Sequence, residues 1–451
     1  MNSAFECIER MTSARRWHAK QLLLILTVIG GSFLLPAMVQ ARTIDVRPRS
    51  AVSTIRQAVA MAAADDRIVV HAGIYVEGGI IVDKRLSIRG TGDVRISGGG
   101  KTGIFLVRAD SVWISHMTLA STGISYVEDR AAIKCTGVRF CRFEDLTFVD
   151  TFFGLYFAKS ARSVVRRCKF FGNARQEAAS GNGIHSWYGD SLLIEDNYIE
   201  RHRDGIYLEF TRNSLVRGNT SRRNLRYGLH FMFSDDDAYM RNTFVENGSG
   251  VAVMYTKRVH MRENIFLDNW GSASYGLLLK DITDSRIEHN VFVSNTIGIY
   301  AEGGARLTVT CNEFRGNGWA VRLMANCTGN TFAKNSFTAN SFDVATNGTR
   351  SESWFDGNYW DAYRGYDIDR DGVGDVPFRP VRIFSYIVEK NPPAIILLNS
   401  FFIALLDVTE RIFPTVTPEA LSDAHPRMHA SRCALHPSDI NRNSGRKGNR
   451  P

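Results

Sequence analysis

From about residue 150 to about residue 347 the chain alternates apolar and polar positions over short runs, with each run stopped by Gly or Asn and then restarted. A period of two marks β-strands rather than helices, and runs this short mark strands that turn after a few residues. Two phrases keep time. Asn followed two residues later by an apolar side chain returns at Asn197, Asn242, Asn264, Asn290, Asn312 and Asn335, with Asn219 filling the one gap, at intervals of 22, 23, 22, 26, 22 and 23 residues. Gly followed by a branched aliphatic returns in step at Gly154, Gly183, Gly205, Gly228, Gly250, Gly276 and Gly298. About 22 residues, divided among three short strands and three turns, make one coil of a right-handed parallel β-helix. The fold expected is therefore all-β, over residues 67–350, with Asn columns bonding along the stack.

The ends differ. Thr54-Ile-Arg-Gln57 offers a helix-capping box ahead of Ile55, Val59 and Ala62, so residues 42–66 read as a helical cap on the open end of the stack. After Pro392-Pro393 comes Ala394 to Leu406, apolar except for Asn399 and Ser400, too short to cross a bilayer as a helix. Two readings fit residues 381–436: a buried cap on the last coil, or an extension that docks to a partner. Residues 437–451 form a polar, basic tail with the composition of disorder.

Residues 1–41 have the form of a secretory signal: Arg10, Arg15, Arg16 and Lys20, an apolar run from Leu22 to Leu35, then Val39-Gln40-Ala41. Four basic and two acidic residues would leave with it, lowering the formal charge from +9 to +7. Export makes nucleic acid a poor partner for that charge, and no aromatic-basic stacking motif appears. Six cysteines would remain, at 135, 141, 168, 311, 327 and 433, with no zinc-site spacing. Cys168 and Cys311 read as small apolar residues in strand positions.

Aligning the glycines assigns faces. One position after Gly points inward; two after points outward (His185, Tyr207, His230, Ala252), and four after points outward again (Trp187, Glu209, Met232, Met254). The third and fifth positions return inward, placing Leu208, Phe231, Val253 and then Phe210, Phe233, Tyr255 in the core. Met232 and Met254 should stack at about 4.8 Å, with His230 about 6.6 Å along the strand from Met232. Thioether with imidazole is a soft donor set suited to Cu(I), so His230, Met232 and Met254 are candidate ligands, with His185 and Glu209 peripheral. An outward patch of Met, Tyr and Trp serves equally well for packing another protein. His202, His260 and His289 adjoin turns and read as structural. The best cluster for polysaccharide chemistry, His202-Arg-Asp204 with Glu209, Arg226 and His230, lacks a pair of carboxylates, so a lyase or epimerase is the alternative rather than the expectation.

Residues 351–380 carry Asp367, Asp369, Asp371 and Asp375 at places 1, 3, 5 and 9 of a loop with Gly372 at place 6. That is calcium-loop spacing, but Phe378 stands where a bidentate Glu belongs, so a structural Ca²⁺ site and a plain Asp-Gly turn both fit.

Arg226-Tyr-Gly-Leu-His-Phe-Met-Phe-Ser234, Arg203-Asp-Gly-Ile-Tyr207, Gly250-Val-Ala-Val-Met-Tyr255, the Gly-Asn-Tyr-Trp and Asp-x-Asp-Gly-x-Gly-Asp-x-Pro block ending at Pro377, and the Leu405-Leu-Asp segment together resemble the NosD family. The resemblance implies a periplasmic copper-processing protein that is not an enzyme and serves nitrous oxide reductase maturation. The implied partners are the membrane and ATPase subunits of an ABC transporter, a periplasmic copper chaperone and nitrous oxide reductase itself. Membrane contact would come only through the transporter, to which the C-terminal apolar segment would dock. A metal-free scaffold for transporter and client is the rival reading. Where family members often show aromatic-Met-Tyr-Ser after the histidine, this chain has Phe231-Met-Phe-Ser234. With Phe233 assigned inward, that change should leave ion binding intact.

Overall fold

The computed structural model describes residues 41–125, 127–348, 352–412 and 421–430, so the signal-like leader up to residue 40, the tail from 437 and Cys433 lie outside the described residues. The chain winds into a parallel β-helix of about 14 coils. Strands pair with their counterparts one coil away, in parallel and with little slippage: Thr243 lies on Ile265, and Ile265 on Val291. The longer strands stack into one 12-stranded sheet that runs from Ile80–Val82 to Phe342–Ala345 and includes Asp204–Glu209, Tyr227–Met232 and Ser249–Lys257.

The stack begins earlier and ends later than its repeats suggest. Thr43–Val46 already pairs with Arg67–Val76, and the helix Ile55–Met61, capped by the Thr54 hydroxyl on the Gln57 N–H, sits across that opening coil. Glu352–Asp356 and Tyr359–Trp360 add strands inside the stretch read from sequence as the acidic loop region. The core is a file of rings, one per coil. Phe266, Phe292, Phe314, Phe337 and Trp360 stack nearly parallel with centroids 4.1 to 4.9 Å apart.

The expected Asn ladder runs unbroken from Asn197 to Asn358, each side-chain oxygen accepting both the backbone and the side-chain N–H of the Asn one coil before. Sequence reading missed its terminus: the last oxygen is supplied by Asp423, which accepts from Asn358 N, Asn358 Nδ2 and Trp360 Nε1. A second Asn ladder, five residues on, runs through Asn224, Asn247, Asn269, Asn295, Asn317 and Asn340.

Cys168 and Cys311 are in turns, not strands; Cys168 occupies the rung below Asn197, its backbone N–H donating to that side chain. Cys135, Cys141, Cys168 and Cys327 are buried and unbridged.

Past the last coil, the helices Ile383–Lys390 and Phe401–Ile412 return to the long-strand sheet. Phe384, Val388 and Ile403 pack on Phe342 and Trp319, and Glu389 clamps Arg322 through two bonds of 2.7 and 2.8 Å. The extension is thus both docked and exposed: Phe402, Leu405 and Val408 face solvent, and Ile396 and Phe401 are more than four-fifths exposed. Among the described residues no helix is long and apolar enough to cross a membrane.

Candidate metal centre

The outward columns form as their spacing requires. Trp187 registers on Glu209, Glu209 on Met232 and Met232 on Met254, while His185 registers on Tyr207 and Tyr207 on His230. Pointing outward, however, does not leave the second column exposed. His185, Tyr207 and His230 are all buried, because rings one coil apart cover each other. Tyr156 stacks on His185 at 4.5 Å and Tyr207 on His230 at 4.6 Å, with His185 edge-on to Tyr207 between them.

Tyr207 links the two columns. Its ring lies on His230 and its hydroxyl donates to the Met232 sulfur at 3.4 Å. No pattern in the sequence marks this contact, though Tyr207 stood in the right column. The structure therefore brings His230, Met232 and Met254 onto adjacent strands and sets a phenol between His230 and His185. His185 is held by Asn182, whose amide meets Nδ1 at 2.9 Å, and the half-buried Glu209 makes no ion pair among the described residues.

Burial fixes the charge of the imidazoles. Desolvation, aided by the nearby positive charge of Arg226 and Arg203, lowers the His230 pKa to about 3, and His185 falls to about 3 by desolvation and Arg203. Both rings are neutral, the form in which imidazole binds metal. Arg226, which can only donate, approaches His230 Nδ1 at 3.4 Å, so the neutral ring carries its proton on Nε2, a buried donor with no acceptor among the described residues. A buried polar atom without a partner is uncommon and calls for an explanation. Arg226 itself is anchored by a two-bond pair to fully buried Asp204, so one of the two carboxylates in the cluster considered from the sequence for polysaccharide chemistry is already paired.

The fifth-position residues are a correction. Phe210, Phe233 and Tyr255 are not in the core; they are 37 to 41% exposed and stack with Tyr188 into an outer ridge at 4.7 to 5.1 Å spacing. The reason is backbone. The strands Asp204–Glu209 and Tyr227–Met232 end at the fourth position, and in all three coils the next residue turns left-handed, with φ of 48°, 51° and 54° at Phe210, Phe233 and Tyr255, which breaks the alternation. The polar residue that follows, Thr211, Ser234 or Thr256, goes inside instead. Phe233 therefore borders the candidate site on its outer side.

Asp367, Asp369 and Asp371 do converge, their carboxylate oxygens lying within 4.8 Å of one another. Those oxygens already accept backbone bonds from Asp371, Gly372 and Val373, as in an Asp-Gly turn. Asp375 is drawn off to the Ile368 N–H, and Phe378 packs on Trp360.

Residues 174–365 match the model of the NosD family, described as a periplasmic copper-binding protein, and residues 78–238 match that of the right-handed β-helix region. A Pseudomonas aeruginosa protein named probable ABC transporter binding protein NosD is 28% identical over 385 residues, covering 81% of this chain and 88% of that one. Its namesake from Stutzerimonas stutzeri is 29% identical over 174 residues, 34% of this chain and 40% of that one. Among solved structures, the catalytic domain of an alpha-1,3-glucanase in complex with nigerose superposes with a TM-score of 0.55 at 12% identity, over 71% of this chain and 69% of that one. The Dettilon tailspike protein gives 0.52 at 11%, over 69% and 70%. At such identities these likenesses concern the fold alone.

Proposed function

We propose that the chain is a member of the NosD family, whose model residues 174–365 match, and that it is an exported, periplasmic protein that binds copper on the outer face of its long-strand sheet and passes it on in company with an ABC transporter. One observation carries the reading: Met232 in register with Met254, with the buried, neutral ring of His230 two residues from Met232 on the same strand. Two thioethers and an imidazole favour Cu(I) over harder ions. Copper is here cargo, and a site for cargo must release as well as bind. Tyr207 suits that requirement, since its hydroxyl occupies the Met232 sulfur at rest and a metal ion must displace it. Glu209 and His185 border the site one and two coils toward the N-terminus and assist entry rather than complete the ligand set.

The C-terminal helices supply the second half of the proposal. Their inner face is fixed to the β-helix, and Phe401, Phe402 and Leu405 remain bare. An apolar surface of that kind on a secreted protein fits a membrane subunit of the transporter, with the ATPase subunit behind it. The copper donor would be a periplasmic chaperone and the recipient nitrous oxide reductase.

Anaerobic Cu(I) titration against a competing chelator tests the site. Wild type should bind stoichiometrically, and a His230→Ala, Met232→Leu, Met254→Leu variant should lose affinity by about 100-fold or more while keeping its circular dichroism spectrum. Full-strength binding in the folded triple variant would rule the site out.

A further inference from the structure

The second Asn ladder stops at a defined place, and a cavity opens where it stops. Its rungs lie five residues beyond those of the first ladder, so below Asn224 they fall on His202, Asn173, Thr151 and Thr122. His202 still joins, its backbone N–H donating to Asn224 Oδ1 at 3.0 Å. Asn173 does not: it is exposed, whereas nearly every ladder asparagine above it is buried. The missing rung leaves two polar atoms stranded, Thr151 Oγ1 and His202 Nε2, both buried and both without a partner. His202 is 2% exposed and Thr151 5%.

Between them lies a cavity of about 320 Å³ lined by both residues. That is the small end of the range for ligand sites. Asp150, Asn173 and Arg201 also line it, and Phe152 adds an aromatic ring to the lining. Burial keeps the His202 ring neutral, with its pKa lowered to about 3. The cavity therefore offers a carboxylate and a hydroxyl to accept, a guanidinium and an amide to donate, no net charge and one apolar wall. An anion would meet Asp150, and a cation would meet Arg201. A neutral ring bearing several hydroxyls satisfies both sets of groups at once and can rest its C–H face on Phe152.

We propose that this gap in the ladder is a binding site for a small neutral carbohydrate, a single sugar ring whose hydroxyls replace the missing rung between Thr151 and His202. The site lies on a different turn of the coil from the Met232 column and does not depend on copper binding.

The test uses the exported chain with D-glucose, D-mannose and N-acetyl-D-glucosamine as probes, followed by saturation-transfer NMR and calorimetry. At least one probe should bind, and Thr151→Val and Arg201→Ala should each weaken it about tenfold or more. Arg201 is exposed, so its variant should keep the wild-type melting temperature. Thr151→Val keeps the branched shape and removes the stranded hydroxyl, so its melting temperature should hold or rise while binding falls. Absence of binding by all three probes to the wild type would overturn the proposal, as would binding that persists undiminished in both variants.

Discussion

The asparagine edge and the outer face of the long-strand sheet are built from the same coils, yet they differ in how completely they are satisfied. On the edge, one residue type repeats and nearly every side-chain bond has its counterpart in the next coil. On the outer face the residue changes with each coil, from His185 to Tyr207, His230 and Ala252. There a histidine nitrogen is left without a partner, and a methionine sulfur is held only by a phenol. In a stacked repeat, identity along a column stabilises the stack and variation along a column makes a site. Loss of a rung should therefore reduce stability, whereas a change in the variable column should chiefly alter binding.

Asn290→Ala gives the largest expected effect. It removes the acceptor for both Asn264 N–H groups and the donor to Met261 O and Asn312 Oδ1. With about 1 to 3 kcal/mol for each buried group left unsatisfied, the loss should be about 4 kcal/mol in a urea melt. A loss below about 1 kcal/mol would mean that the ladder is ornament.

Asp423→Asn should cost less, about 2 kcal/mol, and shows why the ladder ends in a carboxylate. Asp423 faces only donors, because besides its three bonds through Oδ2 it accepts from Gly357 N and His425 N through Oδ1. An amide must turn its NH₂ toward one of those sets. Hydrogen exchange should quicken at Asn358 and Trp360 and stay unchanged in the middle coils.

The outer face should respond to pH instead. His230 has a folded pKa of about 3 against an ordinary value of 6.5, so below pH 6.5 protons bind the unfolded chain more readily and stability falls until about pH 3. Each such histidine contributes up to about 1.4 kcal/mol per pH unit. Asp343, raised to about 6 by burial, acts in the opposite sense, so the informative quantity is a difference. His230→Phe should flatten the fall in urea midpoint between pH 6.5 and 5 relative to wild type. Parallel curves would show that the ring is hydrated and free to protonate.

How far each region could be read from the sequence follows the same division. The Asn and Gly phrases state the coil length, and the glycine alignment places Met232 beside Met254, because strict repetition turns spacing into register. Stacking between coils was beyond that reasoning: it buries His185 and His230 although their bonds point outward. Asp423 was out of reach as well, since the ladder it closes lies 65 residues earlier in the chain. The stranded Thr151 and His202 become visible only once the second ladder is known to exist.

The smallest predicted effect concerns the one place where alternation misled, the ridge of Tyr188, Phe210, Phe233 and Tyr255. The sequence did hold a clue, for a Thr or Ser follows the last three of these aromatics and takes the inward position. Phe233 stacks on two neighbours, at 5.1 Å each, and holds a left-handed φ of 51°. Asn is at ease at that φ, recovering about 1 kcal/mol of backbone strain, while loss of two exposed stacking contacts forfeits a similar amount. Phe233→Asn should thus lie within about 1 kcal/mol of wild type in a urea melt, where a true core phenylalanine would cost about 3 to 5. If the variant nevertheless binds Cu(I) as tightly as wild type but exchanges it faster, the ridge is a barrier at the edge of the Met232 column rather than part of the ligand set.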